Sequence, residues 1–269
     1  MIPAAFEYRR AGSVEQAIEL LGADEDARLL AGGHSLIPAM KLRIARPTTL
    51  VDIGRLDDLR YVREDGDRIA IGALTRHAQV AADPVLARSC AVLADAAGEV
   101  GDPQVRHRGT IGGSVSHADP ASDLATVLVA LDADLVARGP GGERTIPSAG
   151  FFTGPFDSAL AHDEVLVEVR VPEVERSAYL KHARRAQDWA TVAVAAASVG
   201  GRVQVGLASM GPTPLRARAV EQTLAAGASP AVAATHAADG AEPPSDASGS
   251  SEYRAHLARV LVRRALEQL

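Results

Sequence analysis

Two Gly-Gly pairs, each directly behind a short apolar run, constrain this chain more than any other feature. The first lies in Leu29-Leu30-Ala31-Gly32-Gly33-His34-Ser35-Leu36 and the second in Gly109-Thr110-Ile111-Gly112-Gly113-Ser114. Glycine lets a backbone approach a neighbour closely and enter dihedrals closed to other residues. Two such loops meeting in space can hold one diphosphate between them with main-chain N–H groups. A nucleotide-cofactor site is therefore the leading expectation, although either pair alone also reads as a simple turn. The spacing matches neither the dinucleotide fingerprint G-x-G-x-x-G nor the phosphate loop G-x-x-x-x-G-K-[ST]. That argues against a P-loop NTPase and an ordinary nicotinamide-binding Rossmann domain.

The flanking pattern supplies a scaffold for each pair. Ser13 and Gln16 read as a capping box before the apolar face Ala17, Ile18, Leu20 and Leu21, and Gly22 ends that helix. Arg28 to Ala31 reads as a short buried strand, residues 35–43 as a short helix and Leu50 to Ile53 as a strand. The first glycine pair thus falls at a strand-to-helix turn, where N–H groups and the helix dipole favour an anion. Beyond Leu56, Arg60–Glu64 and Arg68–Ile71 flank Asp65-Gly66-Asp67 as a hairpin. Residues 75–82 and 85–98 read as helices, and Ser122 caps a helix from Asp123 to Leu131. A second hairpin, Asp134–Arg138 with Arg144–Ile146, precedes the alternating strand Glu164–Val171. Strands follow at Tyr179–Arg185, Thr191–Val199 and Arg202–Ala208, the alanines of 191–199 suiting a helix equally well. Residues 214–225 and 230–238 read as helical, and Arg254 to Leu269 as an amphipathic helix.

Composition narrows the function classes. The 269 residues are 47% hydrophobic, enough for a buried core. No apolar run reaches the length of a membrane span, and Met1 to Arg10 lacks a signal-peptide core, so a cytoplasmic protein is expected. The lone Cys90 forms no intrachain disulfide and cannot ligate an iron–sulfur cluster, which needs several thiolates. A net charge of −6 disfavours nucleic acid as a partner. Lys41 and Lys181 are the only lysines, so the abundant arginine reads as genomic bias and not as phosphate recognition.

Each candidate residue has a plain reading and a functional one. Ser35 caps the next helix beside a partly buried His34, or the two donate hydrogen bonds to phosphate oxygens. His34, His107 and His117 lack metal-ligand spacing, so no metal is expected. Asp123 adds favourable charge to a helix N-terminus, or accepts hydrogen bonds from cofactor hydroxyls. Cys90 reads as packing. Trp189, the only tryptophan, is a core residue or a lid over a flat ring. No Ser-His-Asp or Cys-His nucleophile context is present.

Longer segments resemble one family. They are Ala31–Ile53, Val105–Ala133, Phe151–Pro172, Lys181–Ala197 and the ending EYRAHLARVLVRRAL, in the same order over nearly the whole chain. Together they resemble the FAD-binding medium subunit of molybdenum hydroxylases, the carbon monoxide dehydrogenase and xanthine dehydrogenase group. The resemblance implies an α+β fold of two FAD-binding subdomains (PCMH-type, vanillyl-alcohol-oxidase-like), residues 1–57 and 58–175. A smaller C-terminal α+β domain with an antiparallel sheet, residues 176–269, follows. It also implies roles by position. Ala31, Gly32, Gly33, His34, Ser35 and Leu36 match one pyrophosphate loop, and Thr110, Ile111, Gly112, Gly113 and Ser114 the other. Asp123 matches a ribityl or pyrophosphate contact, Leu166 a cofactor-lining position and Lys181 a neighbour of the isoalloxazine ring. Trp189 falls near an aromatic position beside the flavin. Many relatives carry Asn or Asp at Ser114, so its contact differs from theirs.

The implied function is an oxidoreductase subunit that transfers electrons and has no general acid or base of its own. A small subunit carrying 2Fe-2S clusters and a large subunit carrying a molybdenum cofactor are the implied partners, in a dimer of heterotrimers. The acceptor is NAD, quinone, oxygen or another carrier. Two other classes stay open: a free-standing flavin oxidoreductase of the same superfamily, and a scaffold that has lost its flavin.

Overall fold

A computed structural model describes all 269 residues. The chain opens with β1 (Glu7–Arg10), α1 (Val14–Gly22), β2 (Arg28–Leu30), α2 (Leu36–Lys41) and β3 (Thr49–Asp52). β1 and β2 both pair in parallel with β3, giving the order β1-β3-β2. β1 carries no hydrophobic alternation and all four residues are exposed, so no pattern marks it as a strand. At α1 Ser13 accepts from the Gln16 amide at 3.1 Å, as a cap should. Gln16 reaches back one residue further than a capping box, to the Gly12 amide at 2.6 Å. β2 is shorter and less buried than expected, with Arg28 exposed and both leucines half-buried.

The second unit holds β4 (Val62–Asp65), β5 (Arg68–Gly72), α3 (His77–Ala82), α4 (Pro84–Ser89), α5 (Ala91–Gly98), α6 (Pro103–Arg106), α7 (Ile111–His117) and α8 (Asp123–Ala130). It continues through β6 (Asp134–Gly139), β7 (Gly142–Pro147), α9 (Ser148–Phe151), β8 (Phe152–Gly154), β9 (Asp157–Ser158) and β10 (Val165–Pro172). Both expected hairpins form, and β10 inserts between them in the antiparallel order β4-β5-β10-β6-β7. β10 serves two cores: Val165 and Val167 pack with α1, and beyond the register shift between Leu166 and Glu168, Val169 and Val171 pack with the helices of this unit. The single helix expected over 85–98 is two. Asp83 and Pro84 start α4, with the Asp83 carboxylate accepting from the Val85 and Leu86 amides. Cys90, at φ −156° and ψ 57°, then breaks the path before α5. Cys90 is fully buried, and burial pushes its thiol up to about 12.

The third unit holds β11 (Arg176–His182), β12 (Val192–Val199), β13 (Arg202–Ala208), β14 (Leu215–Arg216), α10 (Arg218–Ala225), α11 (Pro230–Ala233) and α12 (Ser251–Leu266). Its sheet is antiparallel in chain order. The ambiguous stretch 191–199 is a central strand because both faces are covered. Ala195 and Ala197 enter the core of the second unit, while Val192, Val194 and Ala196 enter the core under α12. Its alanines, and Gly206 on β13, let α8 lie close: a Cβ on Gly206 would sit 2.4 Å from the Thr126 carbonyl. The helix expected over 214–225 begins only at Arg218, since Leu215 and Arg216 pair with β13 first.

Candidate functional site

The first glycine pair leaves β2 and turns into α2. Gly33 has φ +75°, a left-handed conformation that favours glycine. Ser35 sits at the N-cap of α2, yet its hydroxyl makes no capping bond. The first turn-closing bond is Ile37 N–H to Gly33 carbonyl at 3.0 Å. Before it, no N–H from Ala31 to Leu36 finds an acceptor in the protein. Well over nine in ten buried backbone groups are normally paired, so a run of bare donors across a half-buried turn is a built anion cradle. His34 and Ser35 are exposed on it, which corrects the expectation of a partly buried His34.

The second glycine pair departs from expectation. It is the first turn of α7, not an open loop, and its donors are already used. Thr110 Oγ1 accepts from Gly113 N–H at 3.2 Å. Ile111 N–H reaches the Thr75 carbonyl at 3.0 Å, Gly112 N–H the Ala73 carbonyl at 2.8 Å, and Ser114 N–H the Thr110 carbonyl at 3.0 Å. The chain leaving β5 supplies two of these acceptors, Ala73 and Thr75, which no local pattern around 110–114 reveals. What the pair contributes is proximity. A Cβ on Gly112 would lie 2.6 Å from Ala73 Cβ and 2.7 Å from its carbonyl oxygen. A Cβ on Gly32 would lie 2.3 Å from the Arg108 carbonyl and 2.8 Å from Gly109 Cα. The two glycine segments therefore touch, as the sequence reading required, but only one presents a row of free amides.

The remaining candidates converge unevenly. Ser114 Oγ is 3.2 Å from Ser122 Oγ, and Ser122 caps α8. Asp123, the first residue of α8, is buried and ion-paired with Lys181 of β11 at 3.0 Å. Tyr179 O–H donates to the same carboxylate, and Lys181 Nζ also donates to the Glu99 carbonyl at 3.0 Å. Burial pushes the Asp123 carboxyl up, while Lys181 and Tyr179 oppose that rise by favouring its charged form. The Tyr179 phenol is held well above its usual value by burial and by Asp123. Leu166 is buried on β10 in the core shared with Ile111 and Val115 of α7. Trp189 is 67% exposed in the β11–β12 connection, so its core reading is overturned. Sequence reasoning missed His77, which is buried at the start of α3 against Gly109. Nothing local marks it, because Gly109 is far along the chain.

Comparison with known proteins agrees with this geometry. Residues 4–174 match the profile of the FAD binding domain in molybdopterin dehydrogenase, and residues 177–269 the CO dehydrogenase flavoprotein C-terminal domain. The carbon monoxide dehydrogenase medium chain of Hydrogenophaga pseudoflava is 40% identical, over 99% of this chain and 97% of that one. The 6-hydroxypseudooxynicotine dehydrogenase complex subunit alpha of Paenarthrobacter nicotinovorans is 38% identical over 99% and 95%. Among solved structures, a chain of the Hydrogenophaga pseudoflava carbon monoxide dehydrogenase lacking the Mo-pyranopterin moiety superposes with a TM-score of 0.94. It is 41% identical, covering 100% of this chain and 98% of that one. A chain of quinoline 2-oxidoreductase from Pseudomonas putida 86 gives 0.92 at 30% identity, covering 99% and 97%.

Proposed function

Since this chain belongs to the family of FAD-binding medium subunits of molybdopterin dehydrogenases, we propose that it receives electrons from 2Fe-2S clusters of a small partner subunit. It delivers them through FAD to an external acceptor. A large subunit carrying the molybdenum cofactor reacts with the substrate. Bound FAD supplies the junction between single-electron and paired-electron transfer. The observation that carries this reading is the row of unpartnered amides from Ala31 to Leu36, walled by Gly109.

The residues fit that cofactor. The Ala31–Leu36 amides hold the diphosphate, and neutral donors suit a chain of net charge −6. Thr110 to Ser114 form the facing wall, with Gly112 and Gly113 keeping it thin. Asp123 and Leu166 border the cofactor from α8 and β10. Lys181 is already committed to Asp123. It therefore fixes α8 against β11 and does not bring an uncompensated charge to the flavin. Trp189, exposed in the β11–β12 connection, is free to cover the isoalloxazine ring. With a single buried cysteine, the chain relies on a partner for its clusters.

The test is a visible spectrum of the purified full-length chain, with and without added FAD, followed by co-expression with candidate partners. Flavin bands in the chain and recovery of a cluster-bearing and a molybdenum-bearing subunit are expected. A chain that stays colourless in excess FAD overturns the cofactor. Steady turnover of a reductant by the chain alone overturns the subunit role.

A further inference from the structure

His77 lies directly behind the seam between the two glycine segments. Its side chain is 4% exposed, and its Nδ1 has no hydrogen-bond partner. A Cβ on Gly109 would fall 2.7 Å from the ring's Cδ2 and 2.8 Å from Nε2, so the ring presses on the bare face of that glycine. The His77 amide also donates to the Gly109 carbonyl at 3.0 Å. Gly109 Cα in turn fills the place of a Gly32 side chain. Ring, Gly109 and Gly32 thus form three layers, and the third lies within the row of free amides.

The ring is an odd choice for packing alone. A buried nitrogen without a partner destabilises a fold, and a leucine of similar volume would carry no such penalty. Burial disfavours the charged ring, and the Arg106 guanidinium and His34 act in the same direction. We propose that His77 is a positioning residue of the FAD cradle: its ring backs Gly109 and sets the depth of the Gly32–Gly109 seam against which the Ala31–Leu36 amides are presented. This rests on the FAD reading above. Its signature is that affinity and free-chain stability respond to substitution with opposite signs.

The test uses the full-length chain stripped of flavin, as wild type, His77→Leu and His77→Gln. Flavin fluorescence gives the FAD dissociation constant, and thermal melting of the flavin-free protein gives its stability. For His77→Leu we expect FAD binding weakened by about tenfold or more, a change of roughly 1.4 kcal/mol, with a melting temperature equal to or above wild type. His77→Gln, which restores polar atoms, should recover much of the affinity. On wild-type protein carrying 15N-histidine, the His77 ring resonances should shift on adding FAD. Unchanged affinity in His77→Leu, a parallel fall of affinity and melting temperature in both variants, or ring resonances indifferent to FAD would each overturn the proposal. A wild-type chain that binds no FAD removes the underlying reading instead, and this proposal with it.

Discussion

Individual glycines here differ by what their missing side chain would strike. Gly32→Ala would place a methyl 2.3 Å from the Arg108 carbonyl. We expect it to lower stability by about 1–3 kcal/mol through overpacking and to release FAD, measured by urea titration and flavin content. Gly98→Ala meets nothing within 4 Å at the end of α5 and should instead stabilise by up to about 1 kcal/mol. His77 gives a pH signature of its own. Burial, with His34 and Arg106, lowers its pKa to about 4 from the ordinary 6.5. The unfolded chain therefore binds a proton between those values that the folded chain refuses. Stability from this group is fully present above about pH 6.5 and declines as pH falls toward 4, by on the order of 3 kcal/mol. Urea midpoints across that window should fall in wild type, and the fall should be shallower in His77→Gln.

At the scale of elements, the informative joint is between α8 and β11. Asp123 and Lys181 come from different family domains and meet out of water. Removing one partner leaves a buried charge, so Lys181→Met should destabilise by about 3–5 kcal/mol. The double variant Asp123→Asn with Lys181→Met should regain part of that loss. Thermal melting of the single and double variants checks both, and a harmless Lys181→Met would refute the buried-pair account. This joint was half legible: both residues stood out in the sequence, each beside the cofactor, yet nothing in 123 or 181 says that they pair. The same holds for α7. Thr110 stood out only as part of the second glycine loop, and the Ala73 and Thr75 carbonyls that occupy the first turn of α7 come from a strand exit far along the chain. Such acceptors are known only once β5 is placed.

Over the whole molecule, α8 joins two units. It packs in the second unit through Leu124, Val127 and Leu128 and lies against β13 at Gly206. Burial of that kind, at roughly 1.5–3 kcal/mol per large apolar side chain, couples the units. We expect one calorimetric unfolding transition, and two resolved transitions would contradict that coupling. Saturating FAD should raise its midpoint, since ligand at about 100 times its dissociation constant adds about 2.7 kcal/mol. The sequence by itself determined the hairpins, the turn at Gly33 and the segment that holds the bare amides. It also determined the family, because these depend on local spacing and on residue types kept in order. Tertiary structure alone decided that β12 is a strand and not a helix, since its alanines are buried from both sides by elements remote in the chain. It alone decided that Trp189 faces solvent, that His77 backs Gly109, and that one glycine pair donates while the other only yields space. Those outcomes depend on which distant carbonyl or ring arrives next to a residue, and a linear pattern does not encode proximity.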